Sequence, residues 1–114
     1  QKEVYLCERG NFFGYDNLVL DYLNIPKMQK FGAPVILDAT HSTQFKLTNG
    51  TSGGAREFVE RICLAGISFK VDGLFLEVHS DVENAMSDKM SQLELKDFDR
   101  LINKCMEVKA LLEQ

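Results

Sequence analysis

Pro34-Val35-Ile36-Leu37-Asp38-Ala39-Thr40-His41-Ser42 is a short apolar run that passes abruptly into polar and ionisable residues. A strand with one wet face alternates apolar and polar residues, whereas a parallel strand covered by helices on both faces reads as a continuous apolar run. Val35-Ile36-Leu37 is of the second kind, so the stretch predicts a buried parallel strand. Two more stretches share its form: Val4-Tyr5-Leu6-Cys7 running into Glu8-Arg9-Gly10, and Gly73-Leu74-Phe75-Leu76 running into Glu77-Val78-His79-Ser80. The strands of a parallel sheet all end on one side, and that side is where such folds place their chemistry. The three polar clusters are therefore expected to converge.

Parallel strands need crossovers, and the text between these strands has helical period. Phe58, Ile62, Ala65 and Phe69 recur at intervals of three and four, with Ser52 as the expected cap and Gly53-Gly54 as a flexible entry. Phe98, Leu101, Ile102, Cys105, Val108 and Leu112 mark a second amphipathic helix. A shorter one is expected from Asn24 to about Phe31, before Gly32, with Pro26 in the first turn where its missing N–H costs nothing. The order β-α-β-α-β-α defines an α/β chain.

At 114 residues and 45% hydrophobic, the chain is one globular unit able to bury a core. Thirteen basic residues against seventeen acidic ones leave a net charge of −4, with no cluster of Lys and Arg to track phosphates, so nucleic acid is not an expected partner. Cys7, Cys63 and Cys105 are odd in number, widely spaced and set among apolar residues. That pattern fits neither a disulfide framework nor a zinc ribbon; it fits core residues, Cys7 included, in a reducing cytoplasm. No apolar run approaches the roughly 18 residues of a membrane span, and Gln1-Lys2-Glu3 leads into a strand and not a signal peptide.

The strand ends hold the candidate chemistry. Arg9 offers a planar, five-donor guanidinium suited to a carboxylate or phosphate; the alternative is an ion pair with Glu8 or Asp38. Asp38 and His41 lie three apart, so Asp38 can orient the site while His41 ligates a metal or contacts substrate. Glu77 directly follows an apolar run, where an unpaired carboxylate is expensive and a cation offsets the cost. His79, two residues on, shares its strand face and is otherwise a solvent-exposed histidine. Asp88 by itself reads as a turn residue.

Five segments have a further property in common. Cys7-Glu8-Arg9-Gly10 with Phe13-Gly14-Tyr15-Asp16-Asn17-Leu18-Val19, Asp38-Ala39-Thr40-His41-Ser42-Thr43-Gln44, Ser52-Gly53-Gly54 and Ala85-Met86-Ser87-Asp88 resemble, in order and spacing, the phosphoenolpyruvate-utilising family of DAHP and KDO-8-phosphate synthases, on the KDO-8-phosphate branch. The resemblance covers nearly the whole chain. It implies the C-terminal part of a (β/α)8 TIM barrel, strands six to eight with their helices. Since such a barrel takes ~250 residues, it also implies that residues 1–114 are a partial synthase domain whose N-terminal part is absent and which is inactive alone.

The implied reaction joins phosphoenolpyruvate to D-arabinose 5-phosphate with water, giving 3-deoxy-D-manno-octulosonate 8-phosphate and phosphate for lipopolysaccharide. Carried over by motif, His41 and Asp38 are catalytic; Arg9, His41, Ser42, Gln44 and Asn17 bind substrate; and His41, Glu77 and Asp88 hold a divalent metal. A fourth ligand, a Cys, belongs to the absent part, and the mixed donor set suits Zn, Fe, Mn or Co. The resemblance further implies a cytoplasmic homo-oligomer, a tetramer. Departures fall at Lys46 and Asn49-Gly50 and at His79-Ser80-Asp81, which lacks the usual proline, and they bear on sugar contacts. Thr43 to Gly54 is expected to be the least ordered stretch and a candidate lid. Two rivals stand beside this reading: a DAHP-type enzyme using erythrose 4-phosphate, and a non-catalytic binding or assembly domain.

Overall fold

The computed structural model describes residues 2–11, 17–46, 52–54, 56–84 and 92–114. Three parallel strands form the central sheet in the order β1 (Leu6–Glu8), β2 (Val35–Asp38) and β5 (Gly73–Phe75). Cys7 pairs with Ile36, and Leu37 with Leu74, so the strand ends stand level. Helix α1 (Asn24–Gln29) crosses from β1 to β2 and α2 (Val59–Ser68) from β2 to β5. The long α3 (Leu95–Leu112) closes the chain against α2. Each strand lies within a residue or two of its expected place.

Two small ladders were not foreseen. β3 (Gln44–Lys46) and β4 (Ser52–Gly54) pair antiparallel, and β6 (Val78–His79) pairs in parallel with β7 (Leu93–Glu94). Ser52 therefore belongs to a strand and does not cap α2, which is entered through a 3₁₀ turn at Arg56–Phe58. Of the expected lid, residues 44–46 and 52–54 form this ladder, while 47–51 lie outside the described residues.

Burial separates the strands. Val35, Leu37 and Asp38 of β2 are buried, but Cys7 and Phe75 on the flanking strands are exposed. Only the central strand is covered as the apolar runs suggested, because each outer strand has a sheet neighbour on one side alone among the described residues. Cys7 is thus not a core residue. Two apolar clusters fill the layers, Ile25, Val35, Leu37 and Val71 under α1, and Ala39, Val59, Cys63, Leu93, Leu101 and Cys105 between α2, α3 and the sheet. The inward face of α2 is Val59, Cys63 and Gly66, one residue round from the expected Phe58, Ile62, Ala65 and Phe69 stripe, whose two phenylalanines are exposed. Gly66 explains the rotation: a Cβ there would run into Leu37, so the glycine lets the helix settle on β2.

At the opposite end of the sheet from the polar clusters, Asp72 ties the strand starts together. Its Oδ2 accepts from the backbone N–H of Val35 (2.8 Å) and from Gln29 Nε2 (3.1 Å), and Gln29 also donates to the Lys70 carbonyl (2.9 Å). No helix of the described residues is long and apolar enough to cross a membrane.

Candidate active site

Asp38 ends β2 with its carboxylate almost wholly buried, a position that demands hydrogen-bond donors. Oδ1 accepts from the backbone N–H of Thr40 (3.0 Å) and of His41 (2.9 Å), which turns the chain into the 3₁₀ helix His41–Thr43. Oδ2 lies 2.7 Å from His41 Nδ1. A carboxylate at that distance calls for a proton on Nδ1, which leaves Nε2 as the nitrogen with the lone pair. Nε2 in turn lies 3.5 Å from Glu77 Oε1, and the ring sits beside the half-exposed Phe75, 6.0 Å between centroids.

Glu77 occupies the break between β5 and β6, where the chain leaves one ladder for another. Its backbone N–H donates to Thr40 Oγ1 (2.8 Å), its carbonyl accepts from Leu93 N–H (2.9 Å), and its Oε2 accepts from Gln92 Nε2 (3.3 Å). The result is a chain of side chains, Asp38, His41, Glu77, Gln92, drawn from two strand ends and the entry to β7. Thr40 and Gln92, both buried, were missed by sequence reasoning. Gln92 belongs to none of the quoted segments, and Thr40 stood inside the very motif that was quoted.

The other expected residues divide. Ser42 is buried next to His41, with a hydroxyl that has no hydrogen-bond partner among the described residues. Gln44 opens β3, and its carbonyl accepts from Leu18 N–H (3.4 Å). Asn17 is exposed, its amide donating to the Leu18 carbonyl (3.0 Å). Arg9 is exposed at the end of β1 and enters no salt bridge among the described residues, so the expected alternative, an ion pair with Glu8 or Asp38, is not formed. The Cys7 thiol, though exposed, is pushed up by partial desolvation and then by Asp38, with Arg9 opposing, which puts the first two polar clusters within electrostatic reach of each other. His79 accepts from Asp81 N–H (2.8 Å) and, among the described residues, makes no bond to Glu77. Asp88 lies outside the described residues, and among those described no group of three His, Cys, Asp or Glu side chains is placed to hold a metal.

A parallel α/β unit with a carboxylate, imidazole and carboxylate in line at the C-terminal edge of its sheet is the class that these observations define. Within that class the chain belongs to the DAHP synthetase I family, whose sequence profile matches residues 1–114. It is 50% identical over 101 residues to a 2-dehydro-3-deoxyphosphooctonate aldolase of Bartonella bacilliformis, covering 88% of this chain and 36% of the relative. The same enzyme of Agrobacterium fabrum is 47% identical over 109 residues (95% and 39%), and that of Desulfotalea psychrophila 42% over 113 (98% and 40%). The chain thus spans about two-fifths of the length of these relatives, which are KDO-8-phosphate synthases by name, as the motifs led one to expect. Among solved structures, a phospho-2-dehydro-3-deoxyheptonate aldolase (DAHP synthase) of Thermotoga maritima superposes with a TM-score of 0.80 at 29% identity, over 95% of this chain and 30% of that one. A truncated form of the Thermotoga maritima 3-deoxy-D-arabino-heptulosonate 7-phosphate synthase gives 0.79 at 29% identity, over 95% and 38%.

Proposed function

We propose that the chain is the C-terminal part of a (β/α)8 synthase, strands six to eight with their helices, and that the whole enzyme condenses phosphoenolpyruvate with D-arabinose 5-phosphate and water. The products are 3-deoxy-D-manno-octulosonate 8-phosphate and phosphate, destined for lipopolysaccharide in the cytoplasm of a bacterium. The observation that carries this reading is the ordered set Asp38, His41 and Glu77 at the strand ends, in a chain 42–50% identical to enzymes of that name. In this reading the enzyme is a homo-oligomer, a tetramer as the resemblance implies.

Each described residue has a task consistent with its surroundings. Arg9, exposed and without a salt bridge among the described residues, clamps the carboxylate or phosphate of phosphoenolpyruvate. Ser42, with its unanswered hydroxyl, and Gln44 and Asn17 on the neighbouring segments, contact substrate. Asp38 holds the proton on His41 Nδ1 and so fixes the orientation of the ring toward the reacting groups. His41, Glu77 and Asp88 hold a divalent ion, with a cysteine from the part of the barrel outside this chain as the fourth ligand. The two described donors fit: His41 Nε2 and Glu77 Oε1 lie 3.5 Å apart, close enough that they would share one ion. Zn, Fe, Mn or Co suits such mixed ligation, and the ion supplies Lewis-acid polarisation of a substrate oxygen when bound.

A second reading is a DAHP-type enzyme using erythrose 4-phosphate, favoured by the Thermotoga maritima structures that superpose on this chain. Steady-state assays of the full-length protein with both sugars separate the two. Preference for arabinose 5-phosphate is expected, and preference for erythrose 4-phosphate would overturn the first reading. Prior treatment with EDTA is expected to abolish turnover and Mn or Zn to restore it; undiminished turnover in chelator would remove the metal and leave the synthase.

A further inference from the structure

Arg9 stands between two fastened points. On one side Glu8 turns its side chain inward, 7% exposed, and both carboxylate oxygens are engaged. Oε1 accepts from the backbone N–H of Gly10 at 2.9 Å, and Oε2 accepts from Asn24 Nδ2, on the first residue of α1, at 3.3 Å. On the other side Gly10 adopts φ +94°, and a Cβ there would lie 3.2 Å from Leu18 Cβ and 3.3 Å from the Val19 carbonyl oxygen. Asn11 and Val19 then exchange both backbone hydrogen bonds, at 3.0 and 2.8 Å.

A carboxylate buried without a cation is costly, and no Lys or Arg among the described residues pairs with Glu8. An apolar side chain would fill the same volume at the end of an apolar strand without that cost. What Glu8 supplies instead is a bond two residues on, across Arg9, and a bond to the helix beneath. We infer that Glu8 and Asn24 form a latch that positions Arg9 for its anion, the carboxylate or phosphate of phosphoenolpyruvate; the inference rests on the clamp role given to Arg9 above. Glu8 and Asn24 touch no substrate. They fix where the Arg9 Cα–Cβ bond points.

The test uses the full-length enzyme and two readouts, the steady-state KM and kcat for phosphoenolpyruvate and the hydrogen-exchange rate of the Gly10 amide. Glu8→Leu removes both acceptors, and Asn24→Asp sets two carboxylates against each other. Each should raise KM roughly tenfold, short of the ~10²-fold that a 1 Å misplacement can cost, with kcat within about twofold of wild type. Glu8→Leu should also speed exchange at Gly10. Glu8→Gln should behave as wild type, because Oε1 still accepts from Gly10 and a flipped Asn24 amide accepts from the new Nε2. The double variant Glu8→Gln/Asn24→Asp should recover the KM that Asn24→Asp loses, since Nε2 then donates to the new carboxylate. If Glu8→Leu does not fold, this rescue decides alone, and its absence overturns the latch. If Arg9→Ala raises KM while neither Glu8→Leu nor Asn24→Asp does, the latch falls and the clamp stands. If Arg9→Ala leaves KM unchanged, both fall.

Discussion

Asp38 divides its two oxygens between the backbone and a ring. Oδ1 shapes the turn after β2 and Oδ2 answers His41 Nδ1, so one residue builds the loop and sets the tautomer. Asp38→Asn separates these duties. The amide oxygen can still accept from Thr40 and His41, and the fold should persist. The amide nitrogen, however, presents an N–H to Nδ1, which moves the ring proton to Nε2 and blocks the metal ligation proposed for it. Divalent-metal affinity of the full-length enzyme is expected to fall roughly 10–100-fold, read by titration against a competing chelator. Unchanged affinity would mean that Asp38 does not govern the ring. Asp38, His41 and Glu77 were legible in the sequence because each follows an apolar strand and carries a charge or a proton. Thr40 and Gln92 were not, because nothing local marks their partners: Thr40 meets Glu77 across 37 positions and Gln92 meets it across 15.

Helix α2 shows what periodicity can and cannot supply. Its existence followed from apolar residues three and four apart, but its face was set by a residue with no side chain. Gly66 lies against Leu37, a fully buried residue at the centre of the sheet. Gly66→Ala gains about 1 kcal/mol of helix propensity and forces a methyl onto Leu37. Overpacking of ~1–3 kcal/mol should win or at best balance, lowering the unfolding midpoint; a rise in midpoint would mean that Leu37 yields freely. The short ladders were hidden for a related reason, since strands of two or three residues carry no period at all.

The neighbouring thiol makes the same interface sensitive to alkali. Burial first, then Cys105 and Glu60, push Cys63 from 9.0 up to about 12. Below pH 9 the folded and unfolded chains both keep this proton, and its contribution to stability is whole. Between 9 and about 12 only the unfolded chain releases it, so stability falls as pH rises, by up to about 1.4 kcal/mol per pH unit. Chemical unfolding of the full-length protein at about pH 8 and about pH 10 should reveal this slope, and Cys63→Ala should flatten it. An equal slope in the variant would assign the alkaline loss to other groups.

For the whole molecule, the sheet is most telling at its margins. Val4 and Tyr5 before β1 are 59% and 53% exposed, Phe75 on β5 is 44% exposed, and each outer strand has β2 as its one ladder partner among the described residues. Open edges beside apolar surface favour association. The 114 residues produced alone are therefore expected to sediment as something larger than a monomer, or to be insoluble. A dispersed, folded monomer would count against the partial-barrel reading. The parallel order of these strands was legible from their continuous apolar text. Their exposure was not, because a run of Val, Tyr and Leu reads the same whether or not anything covers it.

Asp72 and its partners at the strand starts face away from Asp38, His41 and Glu77 at the strand ends, and the length of β2 from Val35 to Asp38 sets the two groups ~10 Å apart. Over such a separation the effects of substitutions add. Laboratory evolution could therefore harden the molecule around Gln29, Lys70 and Asp72 in one library and alter the substrate contacts proposed for Ser42 and Gln44 in another. Winners from each could then be merged without a fresh search.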